Sequence, residues 1–125
     1  MALKRALRLR KSSDFQRVRQ QRRSVASRLL ILAWAPNTEN TVRIGFVISK
    51  RIAKRAVERN YIKRLLSEAI RPIITDLPAG WDIVISGRNQ VIGSDLPMLK
   101  QDIATLLRRA GLLVSAQPPS SDTSK

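Results

Sequence analysis

Apolar residues recur along this chain with two spacings. In some segments they occupy every second position, which is typical of strands, and in others every third or fourth, which is typical of helices. The clearest strand pattern covers residues 41–49, where every second position is apolar. Its buried face is expected to comprise Val42, Ile44, Phe46 and Ile48. Residues 25–35 are rich in Leu and Ile but too short for a second long helix, so they predict strand, in one or two pieces. Residues 81–86 predict a further strand.

A short helix is predicted after Ser12 or Ser13, before the first strand. Ser13 and Gln16 have the spacing of a capping box, in which the two side chains satisfy free backbone N–H groups. Phe15 and Val18 would then share the inner face of this helix. Phe15 has two interpretations from sequence, as a buried anchor of the helix or as a surface aromatic beside a ligand groove. The pattern leaves both open.

Two longer helices are predicted further along the chain. The first covers about residues 56–70, and Pro72 marks its end or a kink. Its apolar positions at helical spacing are Val57, Tyr61, Ile62, Leu65, Leu66, Ala69 and Ile70. The second follows Asp95 as its N-cap and ends before Gly111. Its buried face is expected to comprise Leu96, Leu99, Ile103, Leu106, Leu107 and Ala110.

The order of these elements predicts one α+β domain, a sheet covered on one face by helices. Residues 1–11 form a basic arm that is too poor in apolar residues to fold alone, and either a loose tail or an ordered contact arm is consistent with it. Residues 12–114 form the domain. Residues 115–125 are polar and rich in Pro and Ser, and we expect them to be disordered. Trp34 and Trp81 are expected to pack against the core or its rim.

The net charge of the chain gives the first indication of its function. The chain has 24 Lys and Arg against nine Asp and Glu, a formal net charge of +15. Eight of the 22 residues from 50 to 71 are Lys or Arg, opposed only by Glu58 and Glu68. The simplest interpretation of such a run is a basic face that contacts only solvent. A helix that packs against a core while carrying this much charge needs a polyanion, and we interpret that partner as RNA.

The same composition excludes most catalytic chemistry. There is no His and no Cys, so imidazole and thiolate catalysis and the corresponding metal sites are excluded. The nine carboxylates are scattered. Asp76 and Asp82 are the nearest pair, and we expect both to be solvated turn residues. We therefore expect no catalytic residue and no metal ligand in this chain. No apolar run is long enough to span a membrane, so a cytoplasmic location is expected.

Within the basic segment, Arg55, Arg59 and Lys63 are four residues apart and should lie along one helical face. Arg matches phosphate as a planar fork, while Lys supplies a mobile point charge. Asn60 lies within the cluster and can hydrogen-bond a base edge or a 2′-hydroxyl, or close a turn.

The stretch RIGFVISKRIAKRAVERNYIKRLLSEAIR, residues 43–71, resembles the signature region of the bacterial ribonuclease P protein subunit. That signature is a strand ending in Ser-Lys-Lys or similar, followed by Ala-x-x-Arg-Asn-Arg-x-Lys-Arg and a helix. Upstream, LRLRKSSDFQRVR and SVASRLLIL are similar to the family's N-terminal helix and first strands. The resemblance extends from about Leu3 to Leu112.

This resemblance implies an α-β sandwich with the order αβββαβα and a left-handed βαβ crossover that carries the basic helix. It also implies an accessory subunit of an endoribonuclease, in which a catalytic RNA hydrolyses precursor tRNA to give the mature 5′ end. The protein would bind that RNA and the 5′ leader of the precursor. Mg²⁺ would be used by the RNA, with no cofactor bound by the protein alone. Neither DNA nor a membrane is an expected partner.

The resemblance also assigns roles to individual positions. The RNA-contacting residues it implies are Lys50, Arg51, Lys54, Arg55, Arg59, Asn60, Lys63 and Arg64. It places Phe15 and Arg19 in a leader cleft between the sheet and the first helix. Tyr61 replaces the second Arg of the motif, and Arg19 and Ala33 stand where relatives often have aromatic residues. Stacking on a leader should therefore be weaker here and charge contacts more important.

Two alternatives remain at this stage. A structural RNA-binding protein of the ribosomal type would share the basic composition, and only the Arg-Asn-Tyr-x-Lys-Arg motif behind a Ser-Lys-Arg strand end separates the two. A DNA-binding protein is less well supported, because no helix-turn-helix spacing accompanies the basic helix.

Overall fold

The structure, a computed structural model, describes residues 8, 9, 11–21 and 23–113. Its helices and strands are α1 (Ser12–Gln20), β1 (Ser24–Ala26), β2 (Leu30–Pro36), β3 (Arg43–Val47), α2 (Ala56–Ile70), β4 (Trp81–Gly87) and α3 (Leu96–Arg109). Short 3-10 turns cover Arg71–Asp76 and Asn89–Val91. The predicted order αβββαβα and the α+β class are confirmed. The expected tail and most of the basic arm lie outside the described residues.

The four strands form one mixed sheet in the order β1-β2-β4-β3. β2 is antiparallel to both of its neighbours, whereas β3 and β4 are parallel. Parallel neighbours need a crossover connection, and α2 supplies it. β3 is therefore an edge strand whose C-terminal end leads directly into the basic segment.

Helices pack against both faces of the sheet, so the expectation of a single covered face was wrong. α2 and α3 bury the larger core against one face, which includes Leu30, Leu32, Ile44, Ile83 and Ile85. α1 covers part of the other face through Val18, with Phe15 beside it. α1 can pack closely on this second face because the strands present several small residues there. These are Ala33, Ala35 and Gly45.

The basic helix has the bounds that its periodicity predicted. Its buried residues are Ile62, Leu66, Ser67, Ala69 and Ile70. Val57 and Tyr61 belong to the same apolar pattern, yet 68% and 57% of their surfaces are exposed. The first two turns of α2 therefore present these two apolar side chains to solvent, where periodicity predicted burial. The helix ends at Ile70, and the chain continues as the 3-10 turn that contains Pro72.

The helix ends were predicted with mixed success. The Asp95 cap is confirmed, because the backbone N–H of Met98 donates to its carboxylate over 3.0 Å. Gly111 follows α3 with φ of 79°, the left-handed conformation that favours glycine. The capping box of α1 was wrong. Lys11 is the N-cap residue, and its side chain makes no capping hydrogen bond.

Part of the basic arm joins the sheet. The backbone N–H of Leu9 donates to the carbonyl of Ile44 over 2.8 Å, and Arg8 forms a parallel bridge with Ile44. Leu9 is also buried in the smaller core. The packed part of the chain thus begins before Ser12, along the free edge of β3.

Asp82 is fully buried, contrary to the solvated turn that the sequence predicted. Arg43 donates two hydrogen bonds to its carboxylate, each of 2.9 Å. Asn37 donates a third over 2.7 Å, and Arg17 of α1 a fourth. A buried carboxylate requires this kind of compensation. Asp76, the other half of the expected pair, is exposed.

This network fixes α1, β3 and the turn after β2 to strand β4. The hydrogen bond to Asp82 raises the pKa of Arg43 above its ordinary value, against an opposing effect of burial. Arg43 therefore keeps its positive charge beside Asp82. Asp14 lies 3.8 Å from Arg43 and 3.9 Å from Arg17, which adds a weaker attraction.

Within the described part of the chain, no helix is both long and apolar enough to cross a membrane.

Replacing Asp82 with Ala should lower the free energy of unfolding by about 3 kcal/mol or more, because two guanidinium groups lose their shared buried counter-charge. Urea unfolding followed by circular dichroism measures this. Asp76→Ala is the matched control, since it removes the same charge from an exposed site and should change stability by no more than about 0.5 kcal/mol. Equal effects of the two substitutions would contradict the structural role of Asp82.

Candidate nucleic-acid interface

A groove runs along the free edge of β3, between α1 on one side of the sheet and α2 on the other. It encloses about 500 Å³. We call it the β3-edge groove. Its lining residues are Arg8, Leu9, Phe15, Ile44, Gly45, Phe46, Asn60, Lys63, Arg64 and Ser67. None of them is a carboxylate, so within this lining the positive charge is unopposed.

One flank of α2 supplies the polar wall of the groove. Asn60, Lys63, Arg64 and Ser67 are three or four residues apart, a spacing that places them on the same side of a helix. Ser67 is buried at the base of this wall, Lys63 is half-buried, and Asn60 and Arg64 are exposed. A half-buried Lys covers apolar surface with its methylene stem and keeps its ammonium group in water. The wall thus presents two cations and one amide at fixed positions.

The apolar floor depends on a close approach between α1 and β3. A Cβ atom at Gly45 would lie 2.5 Å from two ring atoms of Phe15 and 3.1 Å from Cβ of Leu9. Only a glycine lets the Phe15 ring lie this close to the strand. The ring packs against the smaller core and also lines the groove, so Phe15 both anchors α1 and contributes an aromatic surface to the groove.

The opposite flank of α2 has a different character. It borders a second groove of about 590 Å³ that is mainly apolar. Val57, Tyr61 and Leu65 line it from α2, and the carboxylates of Glu58 and Asp95 also belong to its lining. The free cations and the carboxylate Glu58 of α2 are therefore separated onto different flanks of the helix.

The other cations of the motif lie outside the β3-edge groove. Lys50, Arg51, Lys54 and Arg55 are exposed in the connection between β3 and α2. Arg59 is turned back onto that connection, where Nη1 donates to the carbonyls of Ala53 over 3.0 Å and Lys54 over 2.7 Å. Of the predicted row of Arg55, Arg59 and Lys63, only Lys63 lines the groove. Arg59 instead shapes the loop that carries its neighbours.

Arg19 and Phe15 are one turn apart on α1 but line different depressions. Arg19 lies in a shallow depression on the α1 side of the sheet, together with Arg23, Ser24, Ile31, Ala33, Val84 and Ser86. Among the depressions formed by the described residues, the two predicted cleft residues thus line different ones. The tryptophans behave as predicted, because Trp34 and Trp81 both pack against the larger core.

Sequence reasoning missed three contributors to the groove. Gly45 lies inside the predicted strand of residues 41–49, and a glycine in that position signals close approach by another group. Arg8 and Leu9 lie in the predicted basic arm, where the apolar residues are too few to predict a helix or a strand. No cluster of His, Cys, Asp or Glu that could hold a metal ion occurs among the residues that the structure describes.

Comparison with known proteins gives a consistent result. The family model described as Ribonuclease P matches residues 3–111. The ribonuclease P protein component of Chloroflexus aurantiacus is 42% identical over 122 residues, which cover 97% of this chain and 87% of that protein. The corresponding protein of Roseiflexus castenholzii is 36% identical over 121 residues, covering 96% and 98%.

Solved structures agree with the sequence relatives. The Staphylococcus aureus RNase P protein superposes with a TM-score of 0.79 at 27% identity, covering 88% of this chain and 100% of that one. The RNase P protein from Thermotoga maritima gives 0.73 at 25% identity, covering 82% and 96%.

Gly45→Ala should destabilise the chain by about 1–3 kcal/mol, because the new methyl group displaces the Phe15 ring. The measurement is urea unfolding of Gly45→Ala, Phe15→Leu and the double variant. In the Phe15→Leu background the added methyl group should cost less, since the ring that it meets is gone. Strictly additive effects would show that Gly45 and Phe15 are not in energetic contact.

Proposed function

The chain belongs to the ribonuclease P protein family, and from this we propose that it is the protein subunit of a ribonucleoprotein that releases the mature 5′ end of tRNA. In this proposal the protein binds a catalytic RNA and the 5′ leader of precursor tRNA. The observation that carries it is the β3-edge groove, in which Asn60, Lys63 and Arg64 stand beside an aromatic ring with no carboxylate in the lining.

The chemistry of this groove favours binding over catalysis. Cleavage of a phosphodiester needs a group that takes a proton from the attacking nucleophile, in addition to groups that stabilise the leaving oxygen. The chain has no His or Cys, and the groove offers two kinds of cation, one amide and apolar surface. Mg²⁺ is held through oxygen ligands such as carboxylates and phosphates, and the cationic groove would repel it. We therefore assign the metal-dependent step to the RNA.

Recognition of an RNA strand follows from the order of side chains along the α2 wall. Arg64 can meet a phosphate with two parallel N–H groups, and Lys63 neutralises a neighbouring phosphate. Asn60 can hydrogen-bond a base edge or a 2′-hydroxyl, the group that distinguishes RNA from DNA. Phe15 offers the edge or face of a ring to a base. Because α2 is anchored by its buried side, these groups need little reordering on binding.

The leader of the precursor is proposed to cross the α1 side of the sheet, where Arg19 and Ala33 lie in one depression. Neither residue offers an aromatic ring. Contacts with the leader there would depend on the charge of Arg19 and Arg23 more than on base stacking, and should be correspondingly sensitive to salt.

Substituting both Lys63 and Arg64 with Gln should weaken binding of ribonuclease P RNA and reduce the slope of log affinity against log salt by about 1.4–1.8. That value is the loss of two phosphate contacts at about 0.7–0.9 each. Filter binding between about 0.05 and 0.2 M salt measures the slope. Lys100→Gln with Arg108→Gln is the matched control, because it removes two exposed cations of α3. An unchanged slope in the first variant would remove the groove from the RNA interface.

Adding the protein to a ribonuclease P RNA from a Chloroflexus relative and a precursor tRNA should stimulate 5′ cleavage at low Mg²⁺. The cations of the protein reduce the repulsion between the phosphates of the two RNAs. At high concentration, Mg²⁺ reduces the same repulsion without the protein. Gel analysis of the released leader gives the rate. Binding of the RNA without any stimulation would favour a structural RNA-binding protein instead.

A further inference from the structure

A second concentration of cations lies at the end of the sheet where β3 and β4 finish and β2 begins. Gly87, the last residue of β4, pairs with Leu30, the first residue of β2. On the other side of β4, Ser86 pairs with Val47, the last residue of β3. The segments that continue from these strand ends therefore start next to one another, and each carries cations within four residues of its strand. These cations are Lys50 and Arg51 after β3, Arg88 after β4, and Arg28 before β2.

Two of these cations share a small polar depression. It encloses about 200 Å³ and is lined by Arg28, Arg88, Asn89 and Gln90, which we call the sheet-end patch. All four side chains can donate hydrogen bonds, and none is anionic. Its size and donor set suit a phosphate group with an adjoining ribose. A cationic ligand would be repelled by the two guanidinium groups of this lining.

The guanidinium of Arg88 is held in place without being neutralised. Its Nη1 donates to the carbonyl of Ser27 over 2.7 Å, and its backbone N–H donates to the carbonyl of Leu29 over 2.9 Å. Neither acceptor carries a formal charge. The carboxylate that reaches this turn belongs to Asp102, and it accepts a hydrogen bond of 2.5 Å from the hydroxyl of Ser27.

Arg28 has no hydrogen bond or ion pair with any other residue among those that the structure describes. It is exposed beside Arg88, a like charge, in the turn that joins β1 to β2. Two guanidinium groups that line one depression repel each other, and neither has a carboxylate partner there. Fold stability does not explain such an arrangement, whereas an anionic ligand does.

We propose that the sheet-end patch is a second RNA phosphate site, separate from the β3-edge groove. This inference rests on the proposed function. Neighbouring strands are about 4.8 Å apart, so the chain ends at β2 and β3 are separated by two strand spacings, about 10 Å. A single RNA strand can therefore contact the patch and the exposed Lys50 and Arg51 together. The phosphates come either from the catalytic RNA or from the precursor.

The test replaces Arg28 and Arg88 with Gln and compares the salt dependence of binding with that of the parent chain. One arm titrates ribonuclease P RNA alone. The other titrates precursor tRNA, with and without its 5′ leader, onto the preformed protein–RNA complex. The slope of log affinity against log salt should fall by about 1.4–1.8 in the arm that supplies the phosphates. The control pair of Lys100→Gln and Arg108→Gln should leave both slopes unchanged.

Two further variants separate charge from structure. Arg28→Lys with Arg88→Lys keeps both charges and should retain the parent slope. Arg28→Gln alone removes a side chain without hydrogen bonds and should still lower the slope by about 0.7–0.9 while leaving the thermal unfolding midpoint unchanged. Parent-like slopes in both arms for the Gln variants would overturn the proposal. Failure of the parent chain itself to bind the RNA or to stimulate cleavage would instead overturn the proposed function.

Discussion

Burial of one side of α2 is the constraint on which the interface depends. Cations that lie close together repel each other, and a free helix of this composition would be poorly stable. Ile62, Leu66 and Ile70 are each almost completely buried. Each contributes about 1.5–3 kcal/mol, whereas an exposed like-charge pair costs a few tenths of a kcal/mol. Burial therefore prevails, and the cations stay in place without a ligand.

The basic side chains of this protein have two different roles. Arg17 and Arg43 are neutralised by the buried Asp82, and they join α1 and β3 to the sheet. The two ion pairs thus fix α1 and β3, which form the side of the β3-edge groove opposite α2. Lys63 and Arg64 have no carboxylate in the groove that they line, so their charge remains available to a ligand. Arg17 and Arg43 hold the fold together, whereas Lys63 and Arg64 are accessible to a ligand in the groove. All four are basic residues, so sequence composition does not distinguish the two roles.

The sequence predicted what depends on local periodicity and missed what depends on distant partners. The bounds of α2 follow from its apolar stripe and Pro72, and the cap at Asp95 from its position before α3. The partners of Asp82 are 65, 45 and 39 residues away, so its burial could not be seen locally. The role of Gly45 likewise requires knowing that Phe15 packs over β3. Periodicity also cannot tell how far a partner surface extends, which is why Val57 was expected to be buried.

The most direct test of the account is photo-crosslinking from single cysteines, which is possible because the chain contains no Cys. A photoreactive group attached at Lys63→Cys should crosslink efficiently to ribonuclease P RNA. The same group at Val57→Cys, on the opposite flank of α2, and at Arg108→Cys, on α3, should give little product. Crosslinking of similar efficiency from all three positions would contradict the claim that one flank of α2 faces the RNA.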